Sequence, residues 1–514
     1  MGVYRSSIES GGEKKKTDGF EKSKGFQEVH FKKYDKCYQF SEWYPAILRD
    51  AQLVDVRYPV KGFFVHRPWA TKSMMQMYRA YEKELEAKGH EPAWFPALVS
   101  MGSLKIESEH LEGFVPQVFM VTKIGNNDLP EPLAMRPTSE TIMYPIYAQW
   151  IQGISDMPLK IYQSCQVWRA EPESKALIRG REFHWIEAHN VFATRAEAEA
   201  QVKEDMGITE KMIHEKFGIP MLYVKRPSWD TFPGAEYTIA ADTIMPDGKV
   251  LQLPSTHLLA QKFSIPFNIS FTNSEGKIDY AWQTCYGPAI WRIYGALISV
   301  HGDQRGLRLP FEVAPVQVMI IPIVGKGGQD GESVLQKASQ LAKRLEDAGF
   351  RVRIDDSKNS PGYKYNHWEM KGVPVRIEIG AKEVALGKVT LALRTENGKQ
   401  SVDESSLEAT IIEAGARLNA TLKAEADEFF NKRIFTCNTI SELRGMKSER
   451  GIWKFPFCSI GNEGSGCADT IKAEFEMSIR GVHADGAEQP LEGSLCVGGC
   501  GKEATVMAYA GKRY

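Results

Sequence analysis

The chain has 514 residues, of which 43% are hydrophobic and 25% are charged. This length and composition predict a multidomain globular protein with real cores and exclude a mainly disordered chain. The formal net charge of −1 gives no support for nucleic-acid binding through bulk charge, so any such binding must depend on local patches.

The distribution of apolar residues along the chain argues against a membrane protein. No window reaches the roughly eighteen consecutive apolar residues of a membrane helix, and the N-terminus lacks the apolar core of a signal peptide. Its first 25 residues are rich in glycine, serine and lysine, which predicts a flexible tail. We therefore expect a cytoplasmic protein with no membrane partner.

Residues 26–312 are predicted to form the first folded unit. A helix is expected within 40–56, followed by a strand, a long amphipathic helix, a stop at Gly89 and a strand that ends in Phe95 and Pro96. Between 133 and 300, short apolar runs such as "KIYQSCQVW" alternate with turn residues, which predicts a largely antiparallel sheet with inserted helices. One of these helices is expected to be capped by Thr194.

The pattern changes near residue 313. Strand and helix alternate from "VQVMIIPIVG" to "KVTLALRTENG", which predicts an α/β unit over 313–415. A helical, charged stretch then leads into a third unit, 416–514, which carries a cysteine cluster. The predicted fold class is thus an α+β unit, an α/β unit and a small C-terminal α+β unit.

The eight cysteines fall into two groups. Four of them are scattered and are predicted to be ordinary buried thiols, namely Cys37, Cys165, Cys285 and Cys437. The other four crowd the C-terminal unit, and without an export signal such crowding favours a metal over disulfides. Cys458, Cys467, Cys496 and Cys500 are predicted to hold a structural zinc ion in a tetrahedral sulfur site. Free thiols stay the alternative, with His483 a less favoured substitute ligand.

Three stretches carry a resemblance to a known family. The helix and strand at 72–96, "WRAEPESKALIRGREFHWIEAH" at 168–189 and "CYGPAIWRIYGALISVHGDQRGLRLP" at 285–310 resemble the three motifs of class II aminoacyl-tRNA synthetases. Four more are similar to the prolyl-tRNA synthetase family of the archaeal and eukaryotic type: "EHLEGF" at 109–114, "LAMRPTSETIMYP" at 133–145, "HGDQRGLRLP" at 301–310 and "APVQVMIIP" at 314–322. The resemblance extends from about residue 26 to the last residue.

The resemblance implies a fold and an activity. It implies a class II catalytic domain for 26–312 and an anticodon-binding domain for 313–415. The implied enzyme is a proline–tRNA ligase that uses ATP and Mg²⁺ to form prolyl-adenylate and transfers proline to the 3′ end of tRNA(Pro). A homodimer through the 72–96 region is implied as well.

The catalytic residues implied are Arg169, Glu171 and Arg292. A permanently charged, bidentate guanidinium at Arg169 suits the α-phosphate of ATP, because this reaction needs positioning and charge neutralisation. Arg292 matches the arginine that holds the terminal phosphates. The full set implied in ATP binding is Arg169, Glu171, Arg181, Phe183, Gln252, Ser255, His257 and Arg292. The stretch "LQLPSTH" at 251–257 departs from the glycine-rich pattern of the family.

Proline recognition needs acceptors for a secondary ammonium and flat apolar walls for a pyrrolidine ring. Thr138 and Glu140 can supply the acceptors. Strand alternation places Phe183, Trp185, Glu187 and His189 on one face. The resemblance implies a proline-binding set of Thr138, Glu140, Arg169, Phe183, Trp185, Glu187 and His189. The alternative is a buried aromatic strand whose polar ends are satisfied.

Two further sites are implied outside the catalytic pocket. The segment "PGYKYNHWEMKGVPVRIEIG" offers Lys364, Trp368, Glu369 and Arg376 for splayed anticodon bases, against the alternative of a charged helix cap. Near residue 514, the stretch "TVMAYA" predicts a packed strand just before Tyr514. The family resemblance implies that Tyr514 folds back toward the active site, where its ring and terminal carboxylate meet other groups; the alternative is a charged end that keeps an edge strand soluble.

The short gap between the second and third motifs implies that no editing domain is inserted there. Since a small-ring pocket discriminates weakly against smaller amino acids, we expect some misactivation of alanine or cysteine. Two other functions are open. One is a class II synthetase for threonine, serine or glycine, and the other is a non-catalytic tRNA-binding or regulatory paralogue.

Overall fold

The computed structural model describes residues 29–102, 104, 118–325 and 331–514. The predicted N-terminal tail and the "EHLEGF" stretch lie outside these residues. Within the described ranges, no helix combines the length and the apolar character that crossing a bilayer requires.

An eleven-stranded sheet forms the body of the protein. In spatial order its strands are β20 (Ile434–Thr436), β21 (Ile452–Phe457), β23 (Val506–Gly511), β22 (Ser478–His483), β9 (Leu222–Lys225), β10 (Tyr237–Ile244), β11 (Val250–Ala260), β14 (Trp282–Tyr286), β8 (Glu182–Phe192), β7 (Leu159–Trp168) and β3 (Glu91–Pro92). All neighbours are antiparallel except for a parallel pair at each edge, β20 with β21 and β3 with β7. The predicted antiparallel sheet is confirmed.

Helices pack against this sheet, and most of them contribute to its largest core. They are α1 (Phe40–Asp50), α2 (Pro68–Ala87), α3 (Glu140–Trp150), α4 (Arg195–Thr209) and α5 (Ile290–His301). In α2 the buried residues Ala70, Met74, Met77, Tyr81 and Leu85 recur every three to four positions, so one face meets the core. Each large apolar side chain buried there contributes roughly 1.5–3 kcal/mol.

The ends of two helices follow from single residues. After α2 the chain turns at Gly89, whose φ of +81° is the left-handed conformation that glycine adopts without strain. Helix α4 begins after Thr194, whose side chain accepts a hydrogen bond from the Glu197 amide as predicted. The strand predicted to run to Phe95 and Pro96 ends at Pro92, because the Phe95 amide donates to the Gln163 side chain instead of a strand carbonyl.

The predicted α/β unit is confirmed as a separate five-stranded sheet. Its strands, in spatial order, are β16 (Val352–Ile354), β15 (Val318–Pro322), β17 (Val375–Ile379), β18 (Lys388–Leu393) and β19 (Lys399–Asp403). Its helices are α6 (Gly331–Asp347), α7 (Pro361–Met370) and α8 (Ala381–Leu386). Shorter strands make three small sheets elsewhere: β1 (Val54–Asp55) with β2 (Val65–His66), β4 (Leu98–Ser100) with β6 (Asn127–Met135) and β5 (Met120–Ile124), and β12 (Ser270–Thr272) with β13 (Ile278–Tyr280).

The C-terminal unit shares the large sheet with the first folded unit. Helix α9 (Leu407–Asn431) leads into α10 (Ile440–Gly445), α11 (Ser465–Phe475) and strands β20 to β23. Strand β22 pairs with β9, with Val482 opposite Lys225. Gly481 makes this approach feasible, because a Cβ atom there would lie 2.0 Å from the Lys225 carbonyl oxygen. The sheet therefore continues across the predicted boundary at residue 416, and the domain limits stay a prediction.

Candidate active site

A cavity of about 530 Å³ lies against the middle strands of the large sheet. Its walls come from β8, β10, β11 and β14, from the segment after β7 and from the start of α5. The predicted residues that line it are Thr138, Glu140, Arg169, Glu171, Phe183, Trp185, Gln252, Ser255, His257 and Arg292. Residues far apart in the chain thus share one cavity, whose lining is partly polar and partly aromatic.

Two partly buried arginines, Arg169 and Arg292, contribute positive charge to this cavity. The Arg169 Nε donates to the Pro137 carbonyl oxygen at 3.0 Å, and the Arg292 Nε donates to the Ile178 carbonyl oxygen at 3.1 Å. Burial and then the neighbouring positive charges of Arg169 and Arg179 lower the pKa of Arg292 to about 10, which still leaves it charged at neutral pH. Clustered guanidinium groups that are partly shielded from water fit a polyanion such as a nucleoside triphosphate.

The polar loop between β7 and β8 is tied down at its base. The Arg181 Nε donates to the Glu171 carbonyl oxygen at 2.9 Å, and the Arg169 amide donates to the Arg181 carbonyl oxygen at 2.9 Å. Arg181 itself does not line the cavity; its side chain lies over Gly62, where a Cβ atom would come within 2.6 Å. The Glu171 carboxylate lies 3.5 Å from Arg179 and faces the cavity.

On the far wall, hydrogen bonds fix the polar side chains of β10 and β11. His257 contacts Thr238 Oγ1 through Nδ1 at 2.8 Å and Ser255 Oγ through Nε2 at 3.0 Å. Burial lowers the pKa of His257 to about 3, so the imidazole is neutral at physiological pH. The Gln252 Oε1 accepts a hydrogen bond from Arg226 at 2.7 Å.

The other end of the cavity combines acceptors with aromatic rings. Thr138 donates to the Glu140 carboxylate, and these two side chains are 5% and 1% exposed. Phe183 and Trp185 meet edge to face, with ring centroids 5.6 Å apart, and the Arg169 guanidinium lies 5.2 Å and 5.3 Å from those centroids. An ammonium acceptor beside flat apolar walls is the arrangement that a proline molecule needs.

Glu187 and His189 share a strand face with the aromatic pair, but they lie beneath the cavity and not in its wall. Both are fully buried, with His189 Nε2 3.3 Å from Glu187 Oε2 and His189 Nδ1 2.9 Å from the Tyr144 hydroxyl. Although burial opposes a charged imidazole, Cys285 and Glu187 raise the pKa of His189 well above 6.5. The pair therefore supports the floor of the cavity as a buried ion pair.

Sequence reasoning missed several cavity residues. Cys285, predicted to be an ordinary buried thiol, lines the cavity with its Sγ 3.9 Å from Glu140 Oε1, and burial raises its pKa to about 11. Its place at the start of the third motif is the signal that could have identified it. Arg226 and Asp230 also line the cavity and lie in no motif.

Tyr514 lies beside the polar loop of the second motif. Its ring centroid is 4.7 Å from Lys175 Nζ, its hydroxyl donates to Asp247 Oδ2 at 2.9 Å, and its main-chain oxygen accepts from Arg179 Nη2 at 3.1 Å. Just before it, Arg513 pairs with Asp230, a cavity residue, at 2.8 Å. The end of the chain thus contacts both the loop and the cavity rim.

The four residues proposed for the anticodon divide into two groups. Trp368, Glu369 and Arg376 line a second cavity of about 120 Å³ together with Lys399. Lys364 is not among its lining residues: it is 4% exposed and donates to the Asp355 carbonyl oxygen at 2.8 Å, because the helix turns this side chain into the unit.

The cysteine cluster forms in the C-terminal unit. The Sγ atoms of Cys458, Cys467, Cys496 and Cys500 lie within 4.8 Å of one another, and a tetrahedral zinc site with bonds of about 2.3 Å needs sulfurs about 3.8 Å apart. Gly498 allows this closeness, since a Cβ atom there would lie 2.4 Å from the Cβ of Cys467. His483 instead contacts Asp485. The donor set and its packing fit zinc.

Comparisons with known proteins agree with this arrangement. A family model described as tRNA synthetase class II core domain (G, H, P, S and T) matches residues 120–301, and one described as anticodon binding domain matches residues 317–414. The chain is 47% identical over 481 residues to the proline–tRNA ligase of Thermofilum pendens, covering 93% of this chain and 98% of that one. It is 41% identical over 446 residues to the enzyme of the same name from Methanopyrus kandleri, covering 86% and 90%.

Solved structures show the same likeness. The Giardia lamblia prolyl-tRNA synthetase in complex with prolyl-adenylate aligns with a TM-score of 0.88 and 34% identity, covering 92% of this chain and 98% of that chain. The Cryptosporidium parvum prolyl-tRNA synthetase complexed with halofuginone and AMPPNP aligns with a TM-score of 0.86 and 32% identity, covering 94% and 99%.

Proposed function

We propose that the cavity is divided between the two substrates of proline activation, ATP and proline, because the chain belongs to the proline–tRNA ligase family. The chain uses ATP to join proline to tRNA, through prolyl-adenylate. The expected class II fold and the expected family are confirmed, and the alternative of a synthetase for another small amino acid is wrong. Residues 190–284, all of them described, form α4, the helical turn after it and β8 to β14, which leaves no inserted editing domain between the motifs.

The observation that supports this division is the uneven distribution of charge in the cavity. Arg292 lies toward one end, and the acidic acceptor Glu140 and the Trp185 ring lie toward the other. Arg169 stands in the middle, where its guanidinium lies over the rings of Trp185 at the proline end and Phe183 between the two ends, and it faces Glu171 and Arg292 on the ATP side. We assign Arg169 to the α-phosphate and Arg292 to the terminal phosphates. Gln252, Ser255 and Glu171 supply hydrogen bonds to the nucleotide, and Phe183 packs on it.

The proline end is assigned to the acceptors and rings around Cys285. Glu140 and Thr138 accept hydrogen bonds from the secondary ammonium, and the buried Glu187–His189 pair supports the floor of the cavity beneath them. Trp185 forms a flat wall, and a Cβ atom at Gly287 would lie only 3.0 Å from its ring, so the glycine lets the ring take this position. The carboxylate of proline then meets Arg169, next to the phosphorus atom that it attacks.

Mg²⁺ supplies neutralisation of the phosphate charges when it is bound with ATP. Among the carboxylates of the cavity, Glu171 fits it best. Glu140 is held by Thr138 and Asp230 by Arg513, whereas the one ion pair of the Glu171 carboxylate among the described residues is a 3.5 Å contact with Arg179.

Four further proposals complete the function: a zinc ion, a homodimer, a cytoplasmic location and a set of anticodon contacts. One zinc ion is held by Cys458, Cys467, Cys496 and Cys500, which fixes the C-terminal unit. A homodimer forms through the 72–96 region, where Trp94 is 93% exposed and Met75 is 45% exposed, since large apolar side chains with such exposure are typical of protein interfaces. Because the substrate is a tRNA, we place the enzyme in the cytoplasm. Trp368, Glu369 and Arg376 are proposed to meet the anticodon, with Lys364 supporting the helix that carries Trp368 and Glu369.

Amino-acid-dependent exchange of pyrophosphate into ATP tests this function. Proline should give the highest rate, and alanine and cysteine should give lower but measurable rates, because a methylene changes discrimination by only about 10- to 200-fold. No exchange with proline would favour the non-catalytic alternative. Equal rates for proline and alanine would contradict the aromatic proline pocket.

A further inference from the structure

Two buried arginines from different parts of the chain clamp one aspartate behind the cavity. Asp242 Oδ1 accepts from Arg226 Nη2 at 2.7 Å and from Arg480 Nη2 at 2.8 Å, and its Oδ2 accepts from Arg226 Nη1 and Arg480 Nε, both at 2.8 Å. The three side chains are 1%, 0% and 2% exposed for Arg226, Asp242 and Arg480. Although burial opposes it, the two arginines lower the pKa of Asp242 well below its ordinary range, so the carboxylate stays ionised.

Arg226 connects this cluster to the cavity wall. Besides the two bonds to Asp242, its Nη1 donates to the Arg480 carbonyl oxygen at 3.0 Å and its Nη2 donates to Gln252 Oε1 at 2.7 Å. The four Nη protons are therefore committed to protein acceptors. Arg226 is thus unlike Arg169 and Arg292, because its terminal nitrogens have no proton left for a phosphate.

This contact decides which way the Gln252 amide points. A guanidinium can only donate, so the atom of Gln252 that faces it must be the oxygen, and the NH₂ group must be turned away from Arg226. Gln252 lines the cavity, and within the described part of the chain its Nε2 has no protein acceptor. The side chain therefore presents a donor where ATP offers acceptor oxygens.

Arg480 reaches this cluster from the C-terminal unit. It lies on β22, one residue before Gly481, where that unit joins the sheet of the catalytic unit. We propose that Arg226 and Arg480 are positioning residues for ATP: with Asp242 they hold the Gln252 amide in the orientation that binds the nucleotide, so that the C-terminal unit shapes the ATP site. This role rests on the ATP contact assigned to Gln252 above.

Steady-state pyrophosphate exchange with conservative variants tests the proposal. Arg226→Lys keeps the charge but cannot reach Asp242 and Gln252 in one plane, and Arg480→Lys weakens the clamp from the far side. Both should raise the KM for ATP by about tenfold or more, with the KM for proline within about twofold. Arg444→Lys is the matched control, because Arg444 makes a bidentate pair with Glu474 in the same unit but is 58% exposed. It should change neither KM.

A double-mutant cycle separates positioning from general support. Gln252→Ala should raise the KM for ATP, and adding Arg226→Lys to it should have little further effect, because the group being positioned is already gone. Additive effects on the KM for ATP, or equal losses for ATP and proline, would overturn the proposal. If Gln252→Ala leaves the KM for ATP unchanged, the assigned nucleotide contact is wrong, and the positioning role fails with it. If Gln252→Ala raises it and neither lysine variant does, only the positioning role fails. Should Arg226→Lys not fold, Arg480→Lys in the same cycle decides.

Discussion

Replacing Tyr514 with alanine should disable the polar loop of the second motif without unfolding the protein. The ring lies 4.7 Å from Lys175 Nζ and 5.3 Å from Lys249 Nζ, and the hydroxyl donates to the Asp247 carboxylate. Two cation–π contacts of about 0.5–1 kcal/mol each and a charge-assisted hydrogen bond of about 1.5–3 kcal/mol sum to roughly 3 kcal/mol. That value corresponds to about a 150-fold change in the docked population of the loop and chain end.

The assay for this prediction is aminoacylation together with pyrophosphate exchange at varied ATP. We expect kcat/KM for ATP to fall by about tenfold or more, since the loop carries Arg179 beside Glu171. The melting temperature should move by less than about 2 °C, because loss of a terminal contact frays the end locally. Tyr514→Phe should show a smaller loss, and Tyr38→Ala, which removes a 77% exposed tyrosine under Arg450, should show none. Activity of Tyr514→Ala within twofold of the unmutated protein would refute the docking role.

The remaining predictions address both ends of the cavity, the metal and a buried acid. Arg169→Ala should abolish proline-dependent pyrophosphate exchange, because a buried charge on the reacting phosphate is worth on the order of 3 kcal/mol in the transition state; a rate within a few-fold of the unmutated protein would contradict the assignment. Glu140→Ala and His189→Ala should raise the KM for proline far more than that for ATP, and the reverse pattern would show that the two ends are misassigned. Cys496→Ser should lose one zinc per chain by elemental analysis and lower the stability of the C-terminal unit; purified unmutated protein without stoichiometric zinc would reject the site. Burial raises the pKa of Asp205 from 3.8 to about 7, so its contribution to stability is fully present below pH 3.8 and is lost as pH rises through 7. Asp205→Asn should therefore flatten the fall in urea stability between about pH 4 and 7, and an unchanged pH slope would contradict this.

Local sequence patterns were enough to predict much of the site. The second motif places Arg169 at the end of one strand and Phe183 and Trp185 on the next, and strand alternation puts both rings on one face. These residues line one cavity because β7 and β8 are neighbours in sequence and pair directly. The same logic did not predict depth. Alternation places Glu187 and His189 on the face of the rings, but how far the cavity extends depends on α3 and the residue before it, because Tyr144 contacts His189 and Ser139 contacts Glu187.

The sequence by itself therefore determined the family, the order of elements and the residues whose roles depend on near neighbours in the chain. Tertiary structure decided which side chains turn inward, as with Lys364, and which distant residues meet. Arg480 pairs with Asp242 across 238 positions only because β22 adds to the edge of β9 in one particular register. A local pattern carries no record of that register, since a buried arginine reads the same in sequence as a solvated one until its partner strand is in place.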